Sequence, residues 1–165
     1  MRRLNASPHR HDRFSTRRLA FLTLTLVSLG AIFAGGVPAR ADALTEANRH
    51  YRTGLAYERL GRLDQAYTEL QLAANLNPSN AAMALAVGTV ASHLGRWDEA
   101  QRALEHSIAL DAASCASYYE LALVYESKNM DDRSLENWHR FTLLALDDTL
   151  KAVARKHIAH LETHL

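Results

Sequence analysis

The stretch KHIAHLETHL, from Lys156 to Leu165, holds three histidines, His157, His160 and His164. On a helix, spacings of three and four put all three imidazoles on one face, where they can bind zinc, nickel or copper with solvent completing the shell. The same spacing describes a solvated edge beside an apolar stripe, and the sequence is read that way: no metal is expected. The one thiol is Cys115, next to Ser114. Neither has a local histidine or the glycine frame of a nucleophile elbow. The sequence has no phosphate-binding glycine loop, zinc-protease helix motif or paired-cysteine metal motif. The chain is therefore expected not to be an enzyme and to need no cofactor.

A single cysteine excludes an intramolecular disulfide, so packing alone must hold the fold. The sequence places Cys115 as a small, half-buried residue at a helix start, and leaves open a bond between chains in an oxidising compartment. Trp97 and Trp138 have rings that can stack a ligand, but their places in the pattern described next read as core.

The elements that must position these residues recur. LGRLDQA at residues 60–66 returns as LGRWDEA at residues 94–100, after 34 positions. Writing the segments from Ala47, Ala81 and Cys115 beneath one another aligns Gly54 with Gly88 and Ala122, and Tyr57 with Ala91 and Tyr125. It also aligns Gly61, Gly95 and Asn129, then Ala66, Ala100 and Ser134, then Leu70, Leu104 and Trp138. Apolar residues recur at three and four within each unit, in two runs split at Gly61, Gly95 or Asn129, so each unit is a helical hairpin. Small residues at Gly54, Gly88 and Ala122 let the paired helices approach. Glycine inside a helix costs about 1 kcal/mol against alanine, so its recurrence implies that close packing recovers more. Gly61, Gly95 and Asn129 tolerate the positive φ of a helix end. Asn77 and Pro78 stop the second helix of the first unit, and Ser79 is expected to cap the next.

These residues resemble the tetratricopeptide repeat family, whose period is 34. The first unit, residues 47–80, carries the family pattern through Gly54, Tyr57, Gly61, Ala66, Ala73 and Pro78. The second spans 81–114. The third, 115–148, departs most, with Asn129 for glycine, Ser134 for alanine and no proline near Leu146. The resemblance implies an all-α, right-handed α-solenoid of three hairpins. The remainder, 149–165, begins behind capping aspartates Asp147 and Asp148 and puts Leu150, Ala154, Ile158, Leu161 and Leu165 on one stripe, as a capping helix would. Seven helices are expected in all.

The resemblance also implies a working surface, the concave groove lined by the first helix of each hairpin. Its positions here are Tyr51, Arg52, Leu55, Glu58 and Arg59, then Leu85, Thr89 and Ser92, then Tyr119, Glu120, Leu123 and Glu126. Tyrosines, leucines and scattered charge suit an extended or helical peptide with apolar anchors; the leucines serve equally well as packing between hairpins. Family members that hold acidic heat-shock chaperone tails use a basic clamp there, which Tyr51, Leu55, Leu85 and Tyr119 do not supply.

Ahead of the repeats the chain has the three parts of a secretory signal: an arginine-rich start, the apolar run from Leu19 to Phe33, and small residues ending ARA. Cleavage is expected after Ala41, with Ala43 as the alternative end. A retained anchor is the competing reading, set aside because Gly35, Gly36 and Pro38 suit a peptidase better than a continuing helix. TRRLAFL resembles a twin-arginine export signal imperfectly, so either export route is open. The expected location is the periplasm or beyond.

Seven arginines and one aspartate precede Asp42, which leaves twelve basic and seventeen acidic residues from Asp42 onward. That acidic body excludes nucleic acid as a partner, since phosphates require a basic surface. The sequence thus predicts a non-catalytic binding scaffold for another protein of the cell envelope, with a self-associating module, or a metal-binding accessory protein through the histidine face, as alternatives.

Overall fold

A computed structural model describes residues 36–163. The expected signal residues 1–35, with His164 and Leu165, lie outside the described residues. Among the described residues seven helices follow one another: α1 (Gly36–Arg59), α2 (Leu63–Leu76), α3 (Ala81–His93), α4 (Trp97–Leu110), α5 (Cys115–Ser127), α6 (Asp131–Leu144) and α7 (Asp148–Glu162). They form three antiparallel hairpins, α1–α2, α3–α4 and α5–α6, with α7 closing the last, in an α-solenoid. Residues from Asp42 onward form one compact unit.

The turns within the hairpins follow from one backbone requirement. Gly61 and Gly95 have φ of +70° and +72°, and Asn129, at the aligned position, has +54°. Asparagine is the side chain that best tolerates this left-handed region, so the third hairpin turns without glycine. The close approach of paired helices is equally local. A Cβ added at Gly54 would lie 2.6 Å from Leu70 Cγ, and one at Gly88 would lie 2.5 Å from Leu104 Cγ. Both leucines are fully buried, so they have no room to yield.

Two local expectations are corrected. The N-cap of α3 is Asn80, not Ser79: Asn80 is extended and its side chain accepts from the Met83 amide at 3.2 Å. Ser79 instead donates its hydroxyl to Asn77 Oδ1, because it sits one residue too early to reach the first free amides. At the other boundary, α1 is already helical from Gly36. Pro38 does not prevent this, since proline is tolerated in a first helical turn, where its missing N–H has no carbonyl to serve. Asp147 caps α7 as expected, accepting from the Thr149 and Leu150 amides at 2.7 and 3.3 Å, which holds its carboxyl below the usual aspartate range.

The core runs along the array as successive clusters rather than one centre. Ala47, Ala73 and Met83 join the first hairpin to α3; Ala66 and Leu70 then pack with Ala86, Val87 and Val90. Leu104 meets Leu121 and Tyr125 between the second and third hairpins, and Trp138, Phe141 and Ala145 meet Ala154 and Leu161 under α7. Each unit therefore buries its apolar face only against its neighbours. Buried hydroxyls add direction: Ser107 donates to the Ala81 carbonyl at 2.9 Å and lies 2.9 Å from Ser117 Oγ, which is 2.7 Å from Ser114 Oγ. Trp138 lies in the core, fully buried, and Trp97 packs half-buried against the second cluster. Cys115 begins α5, half-buried, with its thiol pushed up by burial.

Candidate functional site

The helix α3 lies between α1 and α5: Tyr51 and Leu55 pack against the cluster holding Ala86 and Val90 of α3, while Leu85 packs against the cluster holding Leu121 of α5. The first helices of the three hairpins thus present one continuous face. Of the predicted groove residues, Tyr51, Leu55, Glu58, Leu85, Thr89, Ser92, Tyr119, Glu120, Leu123 and Glu126 are all half-buried, while Arg52 and Arg59 are exposed. Leu55, Leu85 and Leu123 each touch a core cluster and keep part of their surface accessible, so they pack and line the face together. Arg59 turns back on its own helix, its Nε donating to the Leu55 carbonyl at 3.2 Å.

Charges connect the three helices over this face. Burial pushes the Glu120 carboxyl of α5 above the ordinary glutamate range; His93 of α3 opposes that shift and Glu58 of α1 adds to it. The Tyr51 hydroxyl is raised by burial first and by Glu58 second. Glu58 of α1 and His93 of α3 therefore both lie within electrostatic reach of Glu120. His93 was not among the predicted residues, although it aligns with Arg59, which was; the same alignment reaches it.

Glu126 is different. One carboxylate oxygen accepts from Trp138 Nε1 at 2.5 Å and lies 3.0 Å from His157 Nδ1; Ser134 Oγ, 3.5 Å away, donates to the Ala122 carbonyl at 3.0 Å. The His157 ring stacks on Trp138, centroids 4.5 Å apart. This places Glu126 and His157 in the joint between the third hairpin and α7. Tyr119 has a double position: it lines the face, and its ring meets Trp138 at 5.3 Å and Phe141 at 5.4 Å. Among the described residues no group of three or more His, Cys, Asp or Glu side chains is arranged to hold a metal ion. A separate cleft of about 300 Å³ lies between α2 and α4, lined in part by Tyr67, Arg102 and His106, outside the predicted groove.

Helical hairpins repeating every 34 residues, with small residues where the paired helices meet and glycine or asparagine at their turns, define a hairpin α-solenoid. A family model described as tetratricopeptide repeat matches residues 47–80. That match covers the first of the three hairpins. Among solved structures it is similar to the TPR domain of Arabidopsis OM64, at 15% identity over 74% of this chain and 99% of that one, with a TM-score of 0.69. The first TPR of Spaghetti (RPAP3), bound to the HSP90 peptide SRMEEVD, aligns at 13% identity over 73% and 94%, TM-score 0.68. The type III secretion chaperone SycD of Yersinia enterocolitica, in complex with a peptide of the translocator YopD, aligns at 12% over 71% and 92%, TM-score 0.67. No curated protein matches the chain. These identities establish a shared fold.

Proposed function

We propose that the protein is a non-catalytic scaffold that holds a peptide or helix of another protein against the face formed by α1, α3 and α5. One observation carries this reading: ten predicted groove residues, from Tyr51 to Glu126, are half-buried along three successive helices. Aromatic and aliphatic side chains in that state supply contact area at little entropic cost to an incoming chain. Two solved relatives of the fold hold short peptides, which supports the mode of binding without naming a partner.

The compartment follows from the amino terminus. With cleavage after Ala41, the repeats and α7 act in the periplasm or beyond, and the partner is a cell-envelope protein. No described helix is long and apolar enough to cross a membrane. His157 commits its Nδ1 to Glu126 and stacks its ring on Trp138.

The test is crosslinking in intact cells from a photoreactive phenylalanine analogue at Tyr119, with the same analogue at Leu72, an exposed residue of α2, as reference. An aromatic analogue is required because the Tyr119 ring supports Trp138. A partner captured from Tyr119 and not from Leu72 is the expected result. Capture from Leu72 alone moves the binding surface off the groove.

A further inference from the structure

The cleft of about 300 Å³ between α2 and α4 lies outside the face of α1, α3 and α5 and has a chemistry of its own. Its floor is small and apolar, with Ala74 of α2, Ala84 and Val87 of α3 and Ala103 of α4. Its rim holds asparagine amides whose oxygens are engaged within the protein. Asn75 Oδ1 accepts from Gln71 Nε2 at 3.3 Å, Asn77 Oδ1 from the Ser79 hydroxyl at 3.2 Å and Asn80 Oδ1 from the Met83 amide at 3.2 Å. What these residues have left to offer are N–H donors. Arg102, on the same rim, has no hydrogen bond or ion pair with any described residue. The acids within a turn of it on α4 are engaged elsewhere: Asp98 with Lys128 at 2.7 Å, and Glu105 with the Tyr125 hydroxyl at 2.7 Å. Glu99, the one acid lining the cleft, has its Oε2 buried, 3.8 Å from Arg96 Nη1.

The repeat builds the same crevice once more between α4 and α6, lined in part by Glu105, Ile108, Tyr118 and Glu136. Those positions align with Gln71, Ala74, Ala84 and Arg102. Where the first crevice has donors and small side chains, the second has acids and large ones, so the donor set belongs to the first crevice and not to the repeat as such. We propose that the cleft between α2 and α4 is a second binding site, which takes the carboxylate side chain of an acidic protein segment. The carboxylate lies on Arg102 and the asparagine amides, and its methylenes lie on Ala74, Ala84 and Val87. A guanidinium flanked by amide donors matches a carboxylate in charge and in shape. One unpaired cation balances one negative charge, which disfavours the nearly dianionic phosphate group. The space is at the low end for ligand sites, enough for a side chain of a longer segment. The site stands independently of the groove.

The test follows the amide signals of the isotope-labelled full-length protein by NMR while a capped peptide, one glutamate between alanines, is added. The same peptide with glutamine, butyrate and inorganic phosphate are the reference probes. Each titration is repeated on Arg102→Gln and on Ala74→Ile, which places the side chain of Ile108 in the first floor; circular dichroism confirms that both variants remain helical. The glutamate peptide is expected to shift the Asn75 and Asn80 side-chain amides, to bind about tenfold more weakly to Arg102→Gln, and to lose its binding on Ala74→Ile. Equal binding by the glutamine peptide, unchanged affinity for either variant, or no shift at these amides overturns the inference. Butyrate bound as tightly as the peptide overturns the protein segment as occupant, and phosphate bound more tightly overturns the carboxylate.

Discussion

Glu120 is an acid kept where it is expensive. Burial raises its carboxyl first; His93 opposes that shift, and Glu58 adds a smaller increase. A group whose folded-state value is raised contributes stability below its unfolded value and loses it as pH rises through the folded one. Once pH has risen through that folded-state value, the charge is held in the groove at a cost. Glu120→Gln removes the charge and keeps the shape. The expected outcome is a higher urea midpoint for the variant near pH ~7.5 and equal midpoints near pH ~4, where the native carboxyl is protonated as well. A gain that persists at the lower pH would assign the effect to packing instead. A residue whose replacement stabilises the fold marks a place where function, not stability, holds the side chain.

The element that closes the array depends on one carboxylate. Glu126 joins α5 to Trp138 of α6 and His157 of α7, so Glu126→Ala leaves the Trp138 N–H buried without its acceptor and frees His157. That change is expected to lower stability by about 1–3 kcal/mol, read from urea unfolding followed by tryptophan fluorescence. A loss below a few tenths of a kcal/mol would show that packing of Ala154 and Leu161 alone seats α7. The sequence reveals the elements but not this joint. Hairpins were legible because Gly54 and Gly88, and then Gly61 and Gly95, answer requirements met within a few residues of themselves: a leucine at contact distance and a positive φ. Even the third turn was legible, since Asn129 meets the same backbone demand. Glu126 read as a free groove residue because its partner His157 lies 31 positions on and comes near only when α7 docks. The α3 cap was misassigned by one residue for a smaller reason: Ser79 and Asn80 are both good capping residues, and helix phase alone chose between them.

At the scale of the whole molecule the question is what the two ends of the three described hairpins present. Inner units use one face to stack on their predecessor, and in the second unit that face is Met83, Ala84, Val87 and Ala103. The aligned residues of the first unit are Arg49, His50, Thr53 and Glu69, fastened by His50 to Glu69 at 2.7 Å and Arg49 to Glu46 at 2.8 Å. No hairpin can stack there without stripping water from those charges. At the far end, α7 carries exposed Arg155 and Lys156 near the helical position where Gly54, Gly88 and Ala122 admit a partner helix. The α6–α7 end pairs its charges with exposed Leu143, Leu146 and Leu150; the polar face of the first hairpin opposes stacking between chains at its own end. Sedimentation of the full-length protein under reducing conditions is therefore expected to give a monomer at every concentration. Replacing the first face by the second, Arg49→Met with His50→Ala and Thr53→Val, is expected to produce concentration-dependent association through the new apolar surface. Association of the wild-type chain, undiminished by reducing agent, would restore the self-assembling reading; association that the reducing agent abolishes would assign it to Cys115.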